Sequence, residues 1–286
     1  MNPFIKLCAF ADEASVSTEG QIKALLENAI PYLEVRGVNG VNISALDAAT
    51  AKSYARDLKA HGLAVWSIGS PAGKSHISED FSKERDQFAR LLDMAEIFEA
   101  PCIRLFSFYG TDGADAYFDE VCHRLDVLCS MAKERGVRPC HENEKGIYGD
   151  TADRCLKLHK ALPEMSAVFD PANFVQGGQD IMTAWDMLSP YVWYSHIKDA
   201  VEDGHIVPPG EGIAALRAYL PLFAAMARDG KNSGVLTLEP HLMEFVGLAA
   251  LENADGKSAV GGFAFQDERA AFDYAAKCLK EMVNEI

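Results

Sequence analysis

The chain has little positive charge. Of its 286 residues, Lys+Arg make up 27 against 42 Asp+Glu, for a formal net charge of −15. Nucleic-acid binding ordinarily rests on a basic surface that neutralises phosphates, so no nucleic-acid partner is expected. No apolar run approaches the ~20 residues that a membrane span needs, and no membrane partner is expected. The start, Met1 to Lys6, is not a basic segment leading into a long apolar one, so it does not read as a signal peptide. Seven cysteines (Cys8, Cys102, Cys122, Cys129, Cys140, Cys155 and Cys278) form an odd set without a CxxC pair. Several sit in apolar runs, as buried free thiols do, which excludes a disulfide framework and points to a reducing compartment. No Pro/Gly/Ser-rich linker, shift in composition or low-complexity tract divides the chain. These absences together describe a soluble, cytoplasmic protein of one domain, residues 1–286.

What is present is alternation. Short apolar, β-rich runs are followed by longer amphipathic segments from end to end. The runs predict strands over Phe4–Phe10, Tyr32–Arg36, Leu63–Ile68, Cys102–Phe108, Val137–Glu142, Ala167–Asp170, Tyr191–Ile197 and Val235–Glu239. Helices are predicted near 18–29, 50–60, 79–98, 114–134, 151–161, 180–188, 212–228 and 265–284. In the third, Phe88, Leu91, Leu92, Ala95 and Phe98 fall on one face at helical spacing. Lys59-Ala-His-Gly62 and Lys133-Glu-Arg-Gly136 read as helix stops, with cations in the last turn and a left-handed glycine after it. Strands separated by single helices pair in parallel through right-handed crossovers. Eight such units are the size of a closed barrel, so the fold class is α/β, a single (β/α)8 TIM barrel. The rival, a doubly wound open sheet, wants a glycine-rich loop after the first strand; here that position reads Ala9-Phe10-Ala11-Asp12-Glu13. The longest irregular stretches, 198–212 and 240–263, follow strands and so belong to the barrel mouth. Phe245, Leu248 and Leu251 make the second a candidate lid or interface.

In such barrels the side chains at the C-terminal ends of strands line the site. Strands five to eight end in Glu142, Asp170, His196 and Glu239. Alone, each has an ordinary explanation: a surface acid, an Asp-Pro turn, a core histidine. Glu239, between Leu238 and Pro240, is the hardest to explain so, because an acid ending a buried strand needs a partner. Three carboxylates placed together resist ionisation, and a divalent cation removes the difficulty. Three carboxylates and one imidazole suit Mn2+ first, with Co2+ or Mg2+ as alternatives; Zn2+ is less favoured without thiolates or more histidines. Glu144 rivals Glu142 as the ligand from strand five. Lys74, His76, Asn173, Lys198 and Glu211 are candidate substrate contacts, and Asp199 with Lys198 is a candidate orienting pair. Glu34 and Arg104, within strands two and four, read as buried ion-pair partners or as substrate contacts. Trp66 and Phe106 read as core, or as pocket walls.

These strand ends resemble those of the sugar phosphate isomerase/epimerase family of the xylose isomerase-like TIM barrel superfamily. The resemblance rests on Leu33-Glu34-Val35-Arg36, Ile68-Gly69-Ser70-Pro71 with Lys74, Glu142-Asn143, Phe169-Asp170, His196-Ile197-Lys198-Asp199, Pro209-Gly210-Glu211-Gly212 and Leu238-Glu239. It implies one divalent metal held by Glu142, Asp170, His196 and Glu239. It also implies a carbohydrate substrate and proton transfer next to its carbonyl through an enediolate. Glu142 and Glu239, on either side of the substrate, are implied as the acid/base pair, and a homo-oligomer is a common state among relatives. A dehydratase of a keto-inositol or related polyol on the same site is the alternative. The superfamily also holds endonucleases with a three-zinc site, which need a histidine where this chain has Asn173. They also need an Asp and a His where it reads Gly204-His205-Ile206-Val207-Pro208. A non-catalytic barrel subunit is the remaining reading, and an intact ligand quartet argues against it.

Overall fold

The computed structural model describes residues 2–244 and 263–286. Eight barrel strands run β1 Lys6–Ala9, β2 Tyr32–Val35, β3 Ala64–Ile68, β4 Cys102–Leu105, β5 Arg138–Glu142, β6 Ser166–Phe169, β7 Val192–Ile197 and β8 Val235–Leu238. Each pairs in parallel with its chain neighbours, and β8 pairs with β1, so the sheet closes. The helices are α1 Thr18–Glu27, α2 Ala48–Ala60, α3 Phe81–Ile97, α4 Phe118–Glu134, α5 Ala152–Ala161, α6 Ile181–Leu188, α7 Leu216–Arg228 and α8 Glu268–Asn284. The expected TIM barrel is what forms. Among the described residues no helix is long and apolar enough to cross a membrane.

Local chemistry sets these boundaries. Ser17, Asp47, Asp80, Thr151, Asp180 and Asp267 each accept a backbone N–H at the start of a helix, satisfying donors that the first turn leaves free. Gly62 and Gly136 sit at φ +72° and +70° after α2 and α4, the left-handed stops that the sequence pattern predicts. All seven cysteines are free thiols.

Strand periodicity divides the core in two. Leu33, Val35, Ile103, Ala167 and Leu238 face outward into one large layer under the helices. Cys8, Cys102, Cys140, Val168, Tyr194 and Val235 point into the barrel and fill it, with Tyr32, Trp66 and Trp193 packed against them. Trp66 is therefore core rather than a wall of the mouth. Because side chains alternate with period two, the residue two places beyond an interior one also points inward. Cys140 thus predicts Glu142, Val168 predicts Asp170, and Tyr194 predicts His196; Glu239 lies two such steps beyond Val235.

Two features at the mouth go beyond the sequence reading. The stretch 198–212 is not wholly irregular, since Asp199–Ala200 and Ile206–Val207 pair as an antiparallel hairpin. Asp170 opens a short helix, Pro171–Gln176, and accepts the Asn173 N–H at 3.0 Å. The candidate lid residues Phe245, Leu248 and Leu251 lie outside the described residues.

On the buried face of α5, His159 stacks on Tyr191 and bonds the Met165 carbonyl at 3.1 Å. Burial depresses its pKa to about 4. The unfolded chain therefore binds a proton that the folded chain refuses, and stability falls as pH drops from about 6.5 toward 4. His159→Phe, if it packs on Tyr191 as His159 does, is expected to flatten that part of the stability–pH curve in urea titrations at stepped pH. An unchanged slope would refute this assignment.

Candidate metal centre and active site

Glu142, Asp170, His196 and Glu239 each offer an atom lying within 4.8 Å of the others, and all four are buried. His196 Nδ1 stands 3.1 Å from Glu142 Oε1, 3.4 Å from Glu239 Oε2 and 4.0 Å from Asp170 Oδ2. Ligands bound about 2.0–2.2 Å from one ion lie roughly 3–4 Å from each other, so the spacing fits a single metal. Glu142 Oε2 and Asp170 Oδ2 are buried without a well-aligned hydrogen bond. Yet Arg104 Nη1 and Lys198 Nζ lie 3.0 and 2.9 Å from them. These charges sit beside the carboxylates and leave lone pairs open for a cation.

The electrostatics point the same way. Burial, with repulsion from Glu142 and Glu239, pushes Asp170 up to about 6 in spite of Lys198. Burial also opposes ionisation of Glu142, but His196 and Arg104 outweigh it and hold the carboxyl near 2. Glu239 is held well below the usual range, because Lys198, His241 and His196 overcome its burial. His196 is raised well above an ordinary imidazole; burial opposes this and Glu142 and Glu34 prevail. In effect the protonated imidazole supplies the cation that three crowded carboxylates require. A divalent ion would displace that proton and supply the charge instead.

Around the quartet stands a tightly bonded shell. Asn143 Nδ2 donates to the Asp170 carbonyl at 2.8 Å, and its Oδ1 accepts the Asp170 N–H at 2.9 Å. Asn173 Nδ2 donates to the Asn143 carbonyl at 2.9 Å and to Glu142 Oε1 at 3.4 Å. The structure thus places Asn173 against a ligand. Lys198 is buried between Asp170 and Glu239, 3.3 Å from the latter. Its neighbour Asp199 is buried and accepts the N–H groups of Gly210, Gly212 and Ala214, so it orients this loop. A Cβ at Gly212 would fall 2.3 Å from Asp199 Oδ1, so only glycine lets this loop close over the acid.

Other candidates lie further out. Lys74 Nζ bonds Glu144 at 3.1 Å and covers the Phe106 ring at 4.5 Å, which makes Phe106 a floor for this lysine. Glu144 is engaged there and is not among the four converging ligands. His76 is exposed and pairs with Ser78 at 2.7 Å. Glu211 is exposed and accepts from Tyr274 of α8. Neither is brought to the quartet by any of these bonds.

Sequence reasoning missed a second group. Glu13, Glu239 and His241 also converge within 4.8 Å. Arg36 fills this place, donating from Nη2 to Glu13 Oε1 at 2.9 Å and from Nη1 to Glu239 Oε1 at 3.0 Å, while its Nε holds Asp12 at 2.9 Å. Glu34 and Arg104 do not pair with each other: Arg104 serves Glu142, and Glu34 meets His196 Nε2 at 3.2 Å. Acids and bases facing inward from strands two and four were the available signal.

An eight-stranded parallel barrel with a carboxylate–imidazole cluster at its C-terminal mouth is an architecture of enzymes that work on small molecules there. The family model of the xylose isomerase-like TIM barrel matches residues 23–280, and the chain belongs to that family. None of the curated proteins compared matches the sequence. Among solved structures, the chain is similar to the probable 3-DHS dehydratase AsbF of Bacillus anthracis, involved in petrobactin synthesis. That match has 18% identity, a TM-score of 0.70 and 99% of each chain covered. It is also similar to the D-allulose 3-epimerase of a Methylomonas species bound to D-allulose, with 15% identity, a TM-score of 0.74 and 99% and 97% coverage. A third is the IOLI protein with a bound zinc atom, with 14% identity, a TM-score of 0.73 and 98% and 99% coverage. At these identities the likeness shows the fold. The structural neighbours include epimerases and a dehydratase.

Proposed function

We propose that the chain is a divalent-metal-dependent isomerase or epimerase of a small carbohydrate, working by proton transfer beside a carbonyl. The observation that supports it best is the convergence of Glu142, Asp170, His196 and Glu239 on one point. Asp170 and His196 would hold the metal, and Glu142 and Glu239 would hold it and also work as the acid/base pair. Mn2+ is the proposed ion. A metal held there supplies Lewis acidity to neighbouring substrate oxygens. Glu142 and Glu239 come from the ends of β5 and β8, three strands apart round the ring, a separation that supports their flanking a substrate in the mouth. One takes the proton beside the carbonyl and the other returns one. Arg104 on Glu142, and Arg36 with Lys198 on Glu239, fix the two carboxylates in place.

Lys198 favours a second reading on the same site. Its buried ammonium, 2.9 Å from Asp170, is a charge against which a departing hydroxyl is stabilised. Proton abstraction followed by loss of that hydroxyl would make the enzyme a dehydratase of a keto-inositol or related polyol.

Proton NMR in D2O separates the two. Mg2+-loaded protein is incubated with a panel of ketoses, aldoses and keto-inositols. Deuterium entering beside the carbonyl with a new sugar forming is the expected result. Loss of a hydroxyl would move the assignment to the lyase. No change in any compound of the panel would refute carbohydrate proton transfer.

A further inference from the structure

Every barrel strand contributes an interior side chain near the mouth, and the one from β2 is Glu34. It is fully buried. Among the described residues no lysine or arginine lies within ion-pair distance of it; its charged partner is His196. Such a carboxylate is costly unless its oxygens receive strong hydrogen bonds. They do. Tyr194 Oη donates to Glu34 Oε1 at 2.9 Å, and Ser67 Oγ lies 3.3 Å from the same hydroxyl. Oε2 faces His196 Nε2 at 3.2 Å. The placement is built into the sheet: the β2–β3 register shifts between Leu33 and Glu34 and sets Glu34 opposite Ser67. Such irregularities re-aim side chains.

The imidazole is held in plane as well. Phe10 meets it edge-on with centroids 5.2 Å apart, and Tyr194 with centroids 5.6 Å apart. One nitrogen, Nδ1, faces the three carboxylates; the other, Nε2, faces Glu34. The two nitrogens of an imidazole point away from each other, and Glu34 is not among the four residues whose ligand atoms converge. A carboxylate accepts only, so the nitrogen it faces must carry the proton. Once an ion displaces the proton on the quartet side, the nitrogen toward the quartet is the one with the free lone pair.

We infer that Glu34 is a positioning residue of the metal centre: it keeps the proton of His196 on Nε2, presents Nδ1 to the ion and makes that nitrogen a stronger donor. This rests on the metal-site reading above. An outer carboxylate of this kind fixes ring orientation and raises ligand basicity. The same geometry gives Tyr194 a smaller share, since its hydroxyl orients Glu34.

The experiment is Zn2+ binding to the wild-type chain, Glu34→Gln and Tyr194→Phe, with long-range proton–nitrogen NMR of 15N-histidine-labelled, Zn2+-loaded wild type. The wild type is expected to show His196 protonated at Nε2 and metal-shifted at Nδ1. Glu34→Gln is expected to weaken Zn2+ binding roughly 10- to 100-fold, and Tyr194→Phe by less. Thermal melting of each metal-free protein reports folding separately. If Glu34→Gln does not fold, the wild-type nitrogen spectrum and Tyr194→Phe still decide. Zn2+ on Nε2, or undiminished binding by a folded Glu34→Gln, would overturn the role of Glu34 while leaving the metal site standing. A wild type that binds no Zn2+, Mn2+, Co2+ or Mg2+ would overturn both.

Discussion

Glu239→Gln is expected to abolish nearly all turnover while the barrel still folds. The substitution keeps the shape and removes the charge. Each of the two oxygens of Glu239 serves two neighbours. Oε2 faces His196 Nδ1 and Lys198, and Oε1 faces Arg36 and His241. An amide cannot take a proton from carbon, and removal of an acid/base group ordinarily lowers the rate about 10²- to 10⁴-fold. It is also a poorer ligand, so the affinity for Mn2+ is expected to fall with the rate. The check is kcat at saturating Mn2+ beside the Mn2+ dissociation constant from calorimetry. Loss of affinity with full kcat at saturation would leave Glu239 a ligand and assign the proton transfer elsewhere. Full activity and full affinity would remove Glu239 from the site altogether.

Why this glutamate was legible in sequence, and its neighbours were not, follows from range. Glu142, Asp170, His196 and Glu239 each close an apolar strand, and strand ends gather at one face of a parallel barrel whatever the details. A local pattern plus the fold class therefore located them. Glu13 lies beyond β1 in a short 3-10 segment, where no period says which way a side chain points, and Arg36 lies one residue past the end of β2, where the strand period turns it inward but names no partner. Their meeting at Glu239 depends on pairing of β1 with β2 and on closure of β8 onto β1, which joins Arg36 to Glu239 across 203 residues of sequence. Glu34 was noticed as a buried acid, but its partner depends on the register shift at Leu33/Glu34, which no propensity announces. Asp199 read only as half of an orienting pair with Lys198, because its partners are backbone N–H groups 11 to 15 residues further on. Sequence pattern thus gave the elements and the strand-end residues; pair geometry across the barrel needed coordinates.

Arg36→Met is expected to destabilise the protein strongly in the absence of metal and to change how many ions it binds. The guanidinium is buried and joins Asp12, Glu13 and Glu239. Breaking one side of a buried ion pair ordinarily costs about 3–5 kcal/mol, because the other charge is left without compensation. Burial and the acids around it already raise Glu13 to about 8 even with Arg36 in place. Without Arg36 that carboxyl would stay protonated to still higher pH. Methionine fills much of the space without the charge, so the Glu13–Glu239–His241 group becomes a second cation site beside the first. Urea titration in a chelator should show the loss, and added Mn2+ should restore much of it, because an ion that binds only the folded state stabilises it. Metal analysis should then count two ions per chain in the variant against one in the parent. A folded variant that still takes one ion would mean that Arg36 serves only to hold Glu239 in place. One as stable as the parent in chelator would show that the three acids do not depend on the guanidinium.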